Sequence, residues 1–278
     1  MKNEKVTDPI LQYIPNLTIW YKLLILYVFQ ISIFIISMIF LWWISSIILI
    51  GALIGEFLIV FFGTLPYRYI VNNIEKIRDK YKKKYKKLAS QYLWYRFESY
   101  TIPLLSSSLY FPLLLTTYDY PNIQLTYMPS YIITKSLLPI YITIPVGLMI
   151  IIIGLLIRRP PEVFGPKVEI YLNLLYPEKG ILIKNGIYKY IRHPRYLGRG
   201  FIAVGLGVIA NNIIAILVGV IHFLIFCSLI RSEDKELLKR FGGEFKKYKK
   251  SVPALFPKYG NWKKIFIFIF SKKNKNND

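Results

Sequence analysis

The stretch PRYLGRGFIAVGLGVIANNIIAILVGVIHFLIFCSLI (194–230) decides how the chain folds. It is too long and too apolar for a single membrane crossing, and Asn211-Asn212 divides it into two arms of nearly equal length. Pro194 suits the first turn of a helix, where its missing N–H would have had no partner. Equal helical arms bring the chain back to the depth at which it entered, so the spacing predicts a tight transmembrane hairpin. It also predicts that Arg192 and His193, just before the hairpin, lie beside Arg231, Glu233 and Asp234, just after it.

Outward from the hairpin, four further spans bring the expected total to about six transmembrane helices. Leu23–Pro66 carries one charged residue, Glu56, and holds two spans, with a turn expected near Trp42, Trp43, Ser45 and Ser46. A third span is expected over about Tyr100–Tyr118, bent at Pro103 and Pro112, and a fourth over about Tyr131–Ile157. The polar segment 119–130 reads as a loop. The first apolar run is longer than a signal-peptide core and lacks a small-residue cleavage site, so it reads as a span.

Composition agrees. Apolar residues make up 54% of the chain and mean hydropathy is +0.40, yet formal net charge is +22. A soluble domain rarely combines the two, whereas a membrane protein with its cations at one surface does so readily. The segments 1–22, 68–98, 158–195 and 231–278 hold 35 of the 37 Lys and Arg residues. Lys135 and Arg199, near span ends, are the other two. This asymmetry places both termini in the cytoplasm. One cysteine, Cys227, and two histidines, His193 and His222, make a metal centre an unpromising reading.

The fold class expected is therefore an all-α polytopic membrane protein with cytoplasmic interfacial helices. Residues 1–130 form an N-terminal membrane region that includes the basic segment 68–98. That segment reads as an interfacial amphipathic helix attracted to anionic lipid headgroups, and no nucleic-acid recognition module accompanies its charge. Residues 131–257 form a core, and 258–278 a basic amphipathic tail. Of the ionisable residues inside spans, Glu56 is a functional candidate by position, and His222 more often denotes a packed, hydrogen-bonded residue. The segment RRPPEVFGP (158–166) reads as a stiff connector, with a lid over the site as the alternative.

Chemistry concentrates in GIYKYIRHPRYLGRG (186–200) and RSEDKELLKRFGGEFKKYKKSVPALFP (231–257). The hairpin joins a histidine, arginines, carboxylates and Tyr196 at one interface, between apolar walls, which suits a charged cofactor. The alternative is that Arg192 snorkels to phosphate while Glu233 and Asp234 pair with nearby lysines.

These two stretches resemble the isoprenylcysteine carboxyl methyltransferases and the related phospholipid N-methyltransferases. Gly186, Tyr188, Arg192, His193, Pro194, Tyr196 and Gly198 match the first part of the family pattern. Glu233, Leu237, Phe241, Gly242 and Tyr248 match the second, with Pro257 near the usual closing proline. Asp234 replaces a second glutamate and Phe245 a first tyrosine. The resemblance implies S-adenosylmethionine in a cytoplasm-facing pocket, contacted by Tyr188, His193, Pro194, Tyr196, Leu197, Gly198, Glu233 and Asp234. The acceptor it implies is a lipophilic small molecule, a lipid or a lipidated chain. Arg231 is the candidate for orienting an acidic acceptor, and Arg192 serves the acceptor side, the cofactor or the adjoining loop. No catalytic base is assigned, since a carboxylate acceptor is already ionised near neutral pH. Two alternatives stand beside it: a membrane enone or sterol reductase using NADPH, and a non-catalytic scaffold. The reductases share a His-Pro-x-Tyr-x-Gly element but carry an acidic residue after the glycine, where this chain has Arg199.

Overall fold

The computed structural model describes residues 20–47, 50–86, 89–116, 119–120, 123–124, 136–158, 175 and 181–270. Most of the 119–130 loop and nearly all of 158–166 lie outside the described residues.

The described architecture is helical. In chain order it comprises α1 (Trp20–Ile47), α2 (Gly51–Asn72), α3 (Ile74–Tyr85), α4 (Ala89–Tyr110), α5 (Ile140–Arg158), α6 (Pro194–Ile209), α7 (Ile213–Ser228), α8 (Ile230–Ser251) and α9 (Trp262–Phe270). A two-residue antiparallel ladder, Asp119–Tyr120 with Ile123–Gln124, is the described β-structure. Four helical stretches are long and apolar enough to cross a membrane: Leu24–Ile47, Gly51–Asn72, Ile140–Arg158, and the α7 run with its continuation into α8. The helix α6 has 16 residues, about 24 Å at 1.5 Å per residue, against a hydrocarbon core of about 30 Å. The sequence-derived count of six thus maps onto α1, α2, α4, α5, α6 and α7, four of which meet the length and hydropathy that define a span.

The hairpin forms as the sequence predicts. Asn211 takes a left-handed conformation (φ 58°), which asparagine tolerates, and its Oδ1 accepts from the backbone of Leu137 and Leu138 at 3.1 Å each. Asn212 caps α7 by accepting from Ile214 N at 2.8 Å. Small residues let α5 and α6 cross closely. A Cβ on Gly198 would meet Gly154 O at 2.4 Å, and one on Gly205 would meet Gly147 O at 2.9 Å.

Three expectations need correction. The first concerns the turn between the first two spans. The helix α1 runs through Trp42–Ser46 to Ile47, because Ser45 and Ser46 donate to Leu41 O and Trp43 O within the helix. Gly51 permits the close return of α2, since a Cβ there would lie 1.9 Å from Ile44 O. The second concerns the third span, which starts at Ala89, well before Tyr100, and gives way at Phe111–Leu115 to a 3₁₀ turn containing Pro112.

The third concerns 68–98, which is not one interfacial helix. The helix α2 extends through Arg68 to Asn72, α3 follows, and Lys86 breaks the chain at φ 48° before α4. Ile74, Ile77 and Tyr81 of α3 bury against Ala89, Leu93 and Phe97 of α4. The apolar face of α3 is therefore covered by protein, and its lysines project from the other side.

Candidate functional site

The site gathers where α6 begins and α8 leaves the hairpin. Pro194 opens α6 at its first position, and His193 is the residue before it. Two backbone bonds hold this approach: Arg192 N donates to Pro253 O and His193 N to Ala254 O, each at 2.9 Å. The segment after α8 therefore splints the segment before α6.

The side chains converge on Asp234, whose side chain is 8% exposed. Arg192 Nη1 donates to Oδ1, which also lies 2.9 Å from His193 Nε2. Lys249 Nζ reaches Oδ2 at 2.9 Å. The other ring nitrogen, His193 Nδ1, lies 3.3 Å from Glu233 Oε2, an ion-pair contact without hydrogen-bond alignment. One imidazole thus spans two carboxylates.

The electrostatics follow from that placement. Burial disfavours a charged imidazole, but the carboxylates of Asp234 and Glu233 outweigh it and raise the His193 pKa to about 9. Burial likewise opposes ionisation of Asp234, and the hydrogen bonds from His193, Arg192 and Lys249 hold its carboxyl well below the usual range. Glu233 is lowered against its burial by His193 and Tyr196. Near neutral pH the centre is an imidazolium between two carboxylates, flanked by a guanidinium and an ammonium.

A kink inside α8 makes this possible. On a straight helix the 15 steps from Asp234 to Lys249 would separate them by about 22 Å. Gly242 (φ 51°, ψ −123°) leaves helical geometry and turns the second half back. A side chain rarely adopts such angles. Phe245 and Tyr248 bury after the turn, and Tyr248 Oη donates to Tyr188 O at 2.7 Å.

The structure brings Tyr188, Arg192, His193, Tyr196, Glu233 and Asp234 into one neighbourhood. Tyr196 helps keep the Glu233 carboxyl ionised, and its ring lies 5.8 Å from that of His193. Burial pushes the Tyr188 phenol up to about 12, with Arg195 opposing and Glu233 adding to the rise. Pro194 is buried as the helix start. Leu197 and Gly198 turn away from Glu233: Leu197 packs with Ile157, Ile187, Ile191 and Ile265, and Gly198 lies against Gly154 and Arg158. Arg231 is exposed and has no ion-pair partner among the described residues. Lys249 was not foreseen, because its approach depends on the Gly242 turn.

The segment that supplies these residues has known relatives. Residues 165–239 match the model of the isoprenylcysteine carboxyl methyltransferase (ICMT) family. That segment is similar to the isoprenylcysteine carboxyl methyltransferase family. The protein-S-isoprenylcysteine O-methyltransferase of Dictyostelium discoideum is 37% identical over 91 residues, 31% of this chain and 38% of that protein. That of Schizosaccharomyces pombe is 32% identical over 78 residues, 28% and 33% of the two chains. The Arabidopsis thaliana enzyme A is 30% identical over 113 residues, 40% and 57%. The chain thus spans a third to somewhat more than half of the length of these relatives. No solved structure matches it. His193, Glu233 and Asp234 all fall inside the ICMT-family segment.

The donor set suits the amino-acid end of S-adenosylmethionine. Glu233 Oε2 is buried and accepts no aligned hydrogen bond, so beside its 3.3 Å contact with His193 Nδ1 it retains acceptor capacity for an ammonium. Asp234 is already bound by three cations and serves better to arrange them than to hold a further one. No group of three or more His, Cys, Asp or Glu residues that would hold a metal occurs among the described residues.

Proposed function

We propose that the protein is an integral membrane methyltransferase that uses S-adenosylmethionine to methylate a lipophilic or amphipathic acceptor at the cytoplasmic face. The observation that carries this reading is the His193 imidazole between Glu233 and Asp234, inside the ICMT-family segment. The relatives bear the name protein-S-isoprenylcysteine O-methyltransferase, so an isoprenylcysteine carboxylate is the first acceptor proposed.

A bound S-adenosylmethionine supplies an activated methyl group. Glu233 would hold its ammonium, and Tyr188, His193 and Tyr196 would border its nucleoside and amino-acid parts. The remaining task of the chain is to position the nucleophile, which requires no base if the acceptor is a carboxylate. Arg231, an exposed cation at the start of α8, would attract such an acceptor, and Arg192 would hold Asp234 and the loop in place.

The charge distribution supports a cytoplasmic site with both termini on that side. On this reading 131–257 is the methyl-transfer core, 1–130 its membrane partner and 258–278 a basic tail. The lysines of α3 would meet anionic lipid headgroups.

The test is transfer of a radiolabelled methyl group from S-adenosylmethionine to N-acetyl-S-farnesylcysteine by the purified protein in lipid nanodiscs. Label in a base-labile ester supports the reading. Absence of label with a panel of acidic and amine lipids, from protein that binds NADPH instead, would replace it with the reductase.

A further inference from the structure

A second polar cluster lies within the membrane region, and the proposed chemistry does not use it. It joins Glu56 of α2, Ser108 of α4, Arg199 of α6 and His222 of α7. Glu56, Ser108 and His222 are each at most 1% exposed.

Its hydrogen bonds run in one direction. A guanidinium can only donate, so the 2.9 Å contact of Arg199 Nε with His222 Nε2 makes that nitrogen an acceptor. The ring proton then sits on Nδ1, which lies 2.6 Å from Ser108 Oγ and 3.0 Å from Glu56 Oε1. Ser108 in turn donates to Glu56 Oε1. Arg199 Nη2 also donates to Leu105 O at 2.8 Å. The result is a polar chain that links Arg199 to Glu56 through a neutral imidazole and a hydroxyl.

This relay touches the candidate site through Phe226. The Phe226 ring stacks on His222 at 4.9 Å, lies under the Arg199 guanidinium at 4.2 Å and meets the Tyr196 ring at 6.3 Å. Tyr196 is the α6 residue close enough to Glu233 to help hold its carboxyl ionised. Arg199 is three positions further along α6, on a neighbouring face. Whatever fixes Arg199 therefore fixes the rotation of α6 about its axis, and with it the Tyr196–Glu233 contact.

We propose that Glu56 is a positioning residue for the methyl-transfer site, acting through Ser108, His222 and Arg199. The spans α2 and α4, which lie outside the ICMT-family segment, are then a working part of the site as well as its membrane anchor. This inference rests on the proposed methyltransferase reading.

The experiment separates positioning from charge compensation. Glu56→Gln alone leaves Arg199 unbalanced in the membrane, and the variant should unfold at lower temperature in detergent. Glu56→Gln combined with Arg199→Gln removes both charges and should regain thermal stability. If the relay positions the site, this folded double variant binds S-adenosylhomocysteine about tenfold more weakly than wild type. Its turnover on N-acetyl-S-farnesylcysteine should fall to a similar degree. A double variant with wild-type stability, affinity and turnover overturns the positioning role and leaves the methyltransferase reading intact. A wild-type protein that binds no S-adenosylhomocysteine overturns both.

Discussion

His193 Nε2 lies 2.9 Å from Asp234 Oδ1, although 41 positions separate the two residues in the chain. The hairpin is the cause. Two 16-residue helices joined at Asn211-Asn212 return the chain to its starting depth, and the residues flanking the pair then face each other. Everything proposed for the site depends on that closure.

Asp234 carries three cations, so its loss should be costly. Asp234→Asn leaves Arg192, with a side chain only 8% exposed, without its carboxylate. The expected destabilisation is about 3 kcal/mol, read as a lower denaturation midpoint in detergent. A midpoint unchanged from wild type would show that the cluster contributes nothing to the fold.

The pH dependence has a defined direction. The folded-state pKa of His193 is raised to about 9, from an ordinary value near 6.5. The stability it contributes is fully present below about pH 6.5 and is lost as pH rises through about 9. Thermal unfolding of wild type should therefore weaken across that interval, and His193→Gln should flatten the slope. Equal slopes for the two proteins would remove His193 as the titrating group.

Gly242 and Gly243 offer a matched pair. A Cβ at either would meet nothing within 4 Å, but only Gly242 has positive φ, 51°. Gly242→Ala should cost about 1–3 kcal/mol through backbone strain and loosen Lys249 from Asp234, while Gly243→Ala should leave that contact intact. Similar stability and ligand affinity in the two variants would contradict the structural role given to the kink.

Arg231 is exposed, so replacing it should barely touch stability. If it attracts an acidic acceptor, Arg231→Ala raises KM for N-acetyl-S-farnesylcysteine several-fold with kcat little changed. An unaltered KM removes it from that role.

Local pattern made part of this legible. The apolar runs, the Asn-Asn break and Pro194 carry the hairpin in their own chemistry, and the hairpin places Arg192 and His193 against Asp234. The Gly242 turn was hidden because a glycine in a charged helix does not reveal its φ, and so Lys249 went unnoticed. The α3–α4 pairing was hidden because a basic amphipathic stretch reads the same whether protein or lipid covers its apolar face. Glu56 and His222 stood out singly as ionisable groups within spans. Their connection through Ser108 to Arg199 is long-range, crossing four helices, and no local spacing encodes it.

Calorimetric titration of S-adenosylhomocysteine into detergent-purified protein, with Glu233→Ala alongside, addresses the central claim most directly. The account predicts saturable binding by wild type and its loss in a variant that retains the wild-type unfolding temperature. Absence of binding by folded wild type, or equal binding by the two proteins, would contradict the proposed cofactor or the place given to it.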